Sequence, residues 1–131
     1  MKILGIDPGY AIVGYGILNY DGYKFRPLGY GAITTEAGTD FTLRLMDIYH
    51  DMETVLDTFK PDAMSIEKLF FNTNQKTGID VAQARGVIIL AAAERGVPVF
   101  EYTPLQVKQS VVGYGCLLYT SNAADDLIGV D

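Results

Sequence analysis

The chain has 131 residues, one domain's worth, and its 49% apolar and 20% charged residues let it bury a core and exclude a disordered tail. Sixteen acids against ten bases give a net charge of −6, which argues against a general polycation coating nucleic acid but leaves room for a local basic groove. The single cysteine, Cys116, excludes an intramolecular disulfide and any CxxC zinc site, and it suits a reducing cytoplasm.

Residues 2–6 read as a short buried strand, stopped by the turn Asp7-Pro8-Gly9. Ala11 to Tyr20 reads as a second strand, and Asp21-Gly22 as a two-residue hairpin turn, because a primed turn wants positive φ at both central positions. Tyr23 to Thr34 returns as a third strand, completing an antiparallel meander. The period then changes. Phe41, Leu45, Ile48, Met52, Val55 and Phe59 are spaced as one face of a helix, with Thr39 or Asp40 as cap and Lys60-Pro61 as the end. Asp62 to Glu67 is a fourth strand. Gln75 to Arg95 is a second helix closed by Gly96, and Val97 to Tyr102 is a fifth strand. Within that second helix, Val87 to Ala93 is the longest strictly apolar run; its seven residues are far short of the about 20 that span a bilayer. Asp7 arrives too early for the apolar part of a signal peptide. Thr103-Pro104 opens a short helix through Val111, with Thr as cap and Pro at the first helical position. The order β-β-β-α-β-α-β predicts an α/β fold: a mixed five-stranded sheet, three antiparallel strands and then βαβ units, flanked by helices.

Two carboxylates end strands. Asp7 closes the first and Glu67 the fourth, at the carboxyl ends where open α/β sheets place their sites. If those strands are parallel neighbours, their backbones lie about 4.8 Å apart. Two carboxylates that close repel unless a proton or cation stands between them, and hard oxygen ligands favour Mg²⁺ or Mn²⁺ over zinc. Either residue alone is better read as a turn cap or a solvated strand end; the pair in matching positions favours a metal site. The bare Asp-x-Gly turn does not separate nucleases from phosphotransferases, since actin-like and sugar-kinase domains open in the same way around nucleotide phosphates.

The stretch 67–77 leans toward nucleic acid. Phe70 and Phe71 follow the carboxylate, and exposed aromatics stack on unpaired bases for about 1–3 kcal/mol each. Strand alternation sends the two to opposite sides, so one of them seals the sheet edge. Lys68 and Lys76 are placed to meet phosphates, and Asn72, Asn74 and Gln75 to bond base edges or backbone. His50, the only histidine, lies beside the apolar stripe of the first helix and reads as a surface or packing residue.

Ile3-Leu4-Gly5-Ile6-Asp7-Pro8-Gly9 with Gly14-Tyr15-Gly16, then Ile66-Glu67-Lys68-Leu69-Phe70-Phe71-Asn72, Ala82-Gln83-Ala84-Arg85-Gly86 and Thr103-Pro104-Leu105-Gln106-Val107-Lys108-Gln109, together resemble RuvC-type Holliday-junction resolvases. The motifs stand in order over residues 1–115. The resemblance implies a ribonuclease-H-like fold and a homodimer, formed where the second helix falls, together with a branch-migration helicase complex as partner. It implies a Mg²⁺-dependent (or Mn²⁺-dependent) endonuclease that nicks two strands symmetrically at four-way junction DNA, in recombination and repair. By position, Asp7 and Glu67 become catalytic metal ligands, Phe70 stacks at the opened crossover, and Lys108 stands near the scissile phosphate. Phe71, Asn72, Asn74, Lys76 and Arg85 join the expected DNA-binding set. Other readings of the residues are a related ribonuclease-H-like nuclease, a catalytically dead junction-binding module, and a nucleotide-binding fragment of the actin-like group.

After Gly115 the resemblance stops. The family continues with a lysine-bearing helix, a linker and a final helix with two more carboxylates. Here residues 116–131 carry three acids and no bases, half the net charge in a short tail. Asn122 to Leu127 overlays that final motif only loosely, with Asp125 or Asp126 as the candidate carboxylate. The expectation is a nuclease domain over 1–115 and an atypical tail over 116–131 that is not native to the fold.

Overall fold

The computed structural model describes residues 1–9, 11–36, 38–68 and 75–102, with the side chains of 75–77 set aside. The elements are β1 (Lys2–Pro8), β2 (Ile12–Tyr20), β3 (Phe25–Thr34), α1 (Phe41–Phe59), β4 (Ala63–Glu67), α2 (Gln75–Glu94) and β5 (Val99–Tyr102). They form one mixed five-stranded sheet, as the element order predicts, and its strand order is β3-β2-β1-β4-β5. β1 is central, antiparallel to β2 and parallel to β4, and β4 is parallel to β5.

Alternation divides the sheet. Leu4, Ile6, Met64 and Ile66 point to one face and are fully buried, with Val13, Ile17 and Ile33 beside them. That face carries both helices: Ile48, Met52, Val55 and Leu56 of α1, and Ala84, Ile88, Ala91 and Ala92 of α2, join the same core. α1 follows its stripe and ends as expected, at a left-handed Lys60 whose N–H bonds the Leu56 carbonyl. α2 ends in a Schellman closure, Gly96 N–H to Ala93 O and Val97 N–H to Ala92 O, with Gly96 at φ +68°.

Three local expectations need correction. First, β1 does not stop before Asp7. It runs through Pro8, with Asp7 opposite Gly14 and Pro8 opposite Val13 on β2. Pro8 has no N–H to offer β4, and the β1–β4 ladder ends at Ile6–Ile66. Second, Asp21-Gly22 is not a two-residue turn. The loop spans residues 21–24, because the Asp21 carboxylate accepts the Tyr23 and Lys24 N–H groups at 2.9 Å and leaves only Gly22 at positive φ. Those bonds also hold the Asp21 carboxyl below its usual pKa range. Third, the terminal residues Asp62, Val97 and Pro98 fall outside the strands. Asp62 instead accepts the Lys2 N–H through its side chain at 2.7 Å. The expected helix over 104–111 and the tail over 116–131 lie outside the described residues.

Candidate active site

The face of the sheet away from the helices holds the candidate chemistry. One residue out of step with Leu4 and Ile6, it presents Ile3, Gly5 and Asp7 from β1, and Ala63, Ser65 and Glu67 from β4. The β1–β4 ladder pairs Ile6 with Ile66, so Asp7 and Glu67 are the next step along two adjacent parallel strands. The parallel adjacency on which the sequence reading is conditional is present, and both carboxylates leave the sheet on the same side, half-buried. On the other flank of Asp7, Gly14 adds no side chain; a Cβ there would meet only the Asp7 Cβ, at 3.8 Å.

Tyr102, paired with Glu67 across β4–β5, completes the cluster from the described residues. Its hydroxyl oxygen is buried with no hydrogen-bond partner among the described residues. Burial first, and then the negative charges of Glu67 and Asp7, push its pKa up to about 12, while nearby Ser65 opposes the rise without a hydrogen bond of good geometry. Its pairing with Glu67 puts the Tyr102 side chain on the same face of the sheet as the two carboxylates. Sequence reasoning passed over Tyr102. Its signal was its place at the carboxyl end of the strand that neighbours Glu67, which becomes visible only once the strand order is known.

The donor set fits a hard divalent cation. Two carboxylates side by side concentrate negative charge that a cation relieves, and a Mg²⁺-like ion is held by one or two carboxylates with waters and phosphate oxygens completing its shell. Among the described residues no group of three or more His, Cys, Asp or Glu side chains gathers.

The other expected site residues fall differently. Phe70, Phe71, Asn72, Asn74 and Lys108 lie outside the described residues, as do Asp125 and Asp126. Lys76 is in the first turn of α2, its side chain set aside. Arg85 sits on α2 with its side chain 15% exposed. Its Nε donates to the Glu67 carbonyl at 3.2 Å and its Nη2 to Glu101 Oε2 at 2.7 Å. His50 is exposed on α1, 3.1 Å from Glu53, as a surface histidine should be. Among the described residues no helix is long and apolar enough to cross a membrane.

Known proteins are similar to this chain in sequence and fold. The family model for crossover junction endodeoxyribonuclease RuvC matches residues 3–118. A RuvC of Brevibacillus brevis is 60% identical over 115 residues, which span 88% of this chain and 69% of that protein. One from Ruminiclostridium cellulolyticum is 58% identical over the same shares. The solved structure of Thermus thermophilus RuvC in complex with a Holliday junction substrate matches with a TM-score of 0.81 at 35% identity, covering 88% of this chain and 70% of that one. The yeast mitochondrial Holliday junction resolvase, at 15% identity, a TM-score of 0.63 and 91% of this chain against 56% of its own, shares the fold alone. The ribonuclease-H-like sheet with its paired carboxylates thus sits in a sequence that follows one family over most of its length, and this chain belongs to the RuvC family of crossover junction endodeoxyribonucleases.

Proposed function

We propose that this chain resolves four-way DNA junctions as a metal-dependent endonuclease, with Asp7 and Glu67 holding Mg²⁺ or Mn²⁺. The observation that carries the reading is the side-by-side exit of those two carboxylates from adjacent parallel strands, on the sheet face free of α1 and α2. A divalent ion bound there supplies water activation and charge neutralisation at the scissile phosphate. Asp7 and Glu67 provide anchoring oxygens, and the side-chain-free position at Gly14 gives a DNA backbone room to approach Asp7. Phe70 stacks on a base at the opened crossover, while Phe71, Asn72, Asn74 and Lys76 join the DNA-binding set that meets phosphates or base edges. Lys108 offsets charge gathering on the phosphoryl oxygens.

The same reading takes the protein as a homodimer through α2. The exposed series Ile79, Gln83, Gly86, Leu90 and Ala93 forms a helical stripe away from the core, and Ile79 and Leu90 are 53% and 54% exposed, enough to seat a second copy. A branch-migration helicase is the expected further partner and the cytoplasm the expected setting. The nuclease domain is read as 1–115, with 116–131 an atypical tail; that boundary falls near the end of the family match at residue 118.

The test is to incubate the 131-residue protein with a labelled four-way junction and a matched duplex, with and without Mg²⁺, beside Asp7→Asn. Paired Mg²⁺-dependent nicks at the junction, absent in the variant, are the expected result. Junction binding without nicks makes the chain a binding module, and nicking of the duplex as fast as the junction removes the junction specificity.

A further inference from the structure

We propose that Arg85 is a positioning residue for Glu67, bracing the end of β4 from the face opposite the site in place of a backbone bond that Pro8 cannot make. The proposal rests on the reading of Asp7 and Glu67 as a cation-binding pair.

The hydrogen-bond phase of β4 identifies the vacancy. Met64 N–H bonds Pro98 O and Lys68 N–H bonds Tyr102 O, so the even-numbered residues of β4 face β5. The odd-numbered ones, Glu67 among them, face β1. With Ile6 paired to Ile66, the donor that the next step of the parallel ladder brings to the Glu67 carbonyl is the N–H of residue 8. Residue 8 is proline and has none. The ladder stops at Ile6–Ile66, one step short of the two carboxylates.

Arg85 fills that vacancy. Its Nε takes the Glu67 carbonyl at 3.2 Å, and its Nη2 takes the Glu101 carboxylate at 2.7 Å. One rigid guanidinium thereby ties α2 to the last residue of β4 and to β5, directly beneath the strand end that carries the site. Fixing the Glu67 carbonyl fixes the Cα from which its carboxylate projects. Partners that hydrogen-bond a metal ligand's own side chain typically cost about tenfold to a hundredfold in metal affinity when removed, and a brace on the ligand's backbone is expected at the lower end of that range. Guanidinium donors committed to Glu67 and Glu101 are also withdrawn from phosphate contact, so this role and a direct DNA contact give different results.

Mn²⁺ alone is the probe, titrated into the full 131-residue chain and followed by electron paramagnetic resonance of the free ion. Arg85→Ala is expected to weaken Mn²⁺ binding about tenfold, with Arg85→Lys in between. Arg95→Ala, which removes ion pairs joining the two helices far from Glu67 in sequence, is expected to leave the Mn²⁺ affinity unchanged. Adding Pro8→Ala to Arg85→Ala restores a backbone donor and is expected to recover part of the loss. Junction binding in EDTA is expected to stay at the wild-type level in Arg85→Ala. An unchanged Mn²⁺ affinity in Arg85→Ala overturns the proposal. So does an equal loss in Arg95→Ala, or weakened EDTA binding with Mn²⁺ affinity intact. If wild type binds Mn²⁺ no better than Asp7→Asn, the cation reading fails and the brace is decided separately by amide exchange. A roughly tenfold faster exchange of the Lys68 amide in Arg85→Ala, with the Ile66 amide unchanged, then sustains it, and an unchanged Lys68 amide ends it.

Discussion

The two faces of the central strands differ by a single step along the chain and by everything else. On one, Leu4, Ile6, Met64 and Ile66 are sealed under α1 and α2. On the other, Gly5, Asp7, Ser65 and Glu67 stand where neither of those helices packs, with the Tyr102 hydroxyl, unpartnered among the described residues, beside them. Side-chain alternation makes the two faces inseparable, since a slip of one residue in either strand would put carboxylates in the core. The packed face therefore secures the geometry of the chemical one. Stability and chemistry should be separable by mutation even between neighbours in sequence.

The largest effect is expected from the core side. Ile66→Ala empties a fully buried site between two strands and two helices and should cost about 2–5 kcal/mol in urea unfolding. A loss below about 1 kcal/mol would mean that the face is looser than its burial indicates. One residue on, Glu67→Gln should behave in the opposite way. Junction nicking should fall by at least about a hundredfold, some 2.7 kcal/mol, with the urea midpoint held or raised because two like charges no longer face each other. A fall in both activity and stability would blur the division between faces. Tyr102→Phe removes a buried hydroxyl that has no partner among the described residues, so unfolding should become harder by up to about 1 kcal/mol; a loss of stability would reveal a bond to that oxygen.

The smallest effect lies between the helices, where Arg95 bonds Glu53 and Asp57. Bonding to the Arg95 guanidinium holds both carboxyls below their usual values of 4.5 and 3.8. Depressed carboxylate pKa values add stability that is present above the unfolded values and is lost as pH falls through the folded ones. The Tm advantage of wild type over Arg95→Met should thus be full at neutral pH and shrink below about pH 4. An advantage that persists at pH 2 would assign Arg95 to packing instead.

Much of the fold was legible beforehand because its signals are local. The six-residue stripe from Phe41 to Phe59 reproduces α1 to the residue, and Gly96 marks the end of α2. The hairpin misread Asp21 because its side chain, rather than its backbone, made the turn. β1 ran past the expected stop because β2 supplied partners for Asp7 and Pro8 that no local rule contains.

The same boundary runs through the site. Asp7 and Glu67 were identifiable as strand-end carboxylates, and the ordered motifs identified the family, because residue order and type carry that information alone. That β1 lies between β2 and β4, that Tyr102 enters the field of both acids, and that Arg85 supplies the donor Pro8 lacks were decided by tertiary structure. Lateral strand order and hydrogen-bond phase join residues about 60 apart, and periodicity within a strand does not encode them.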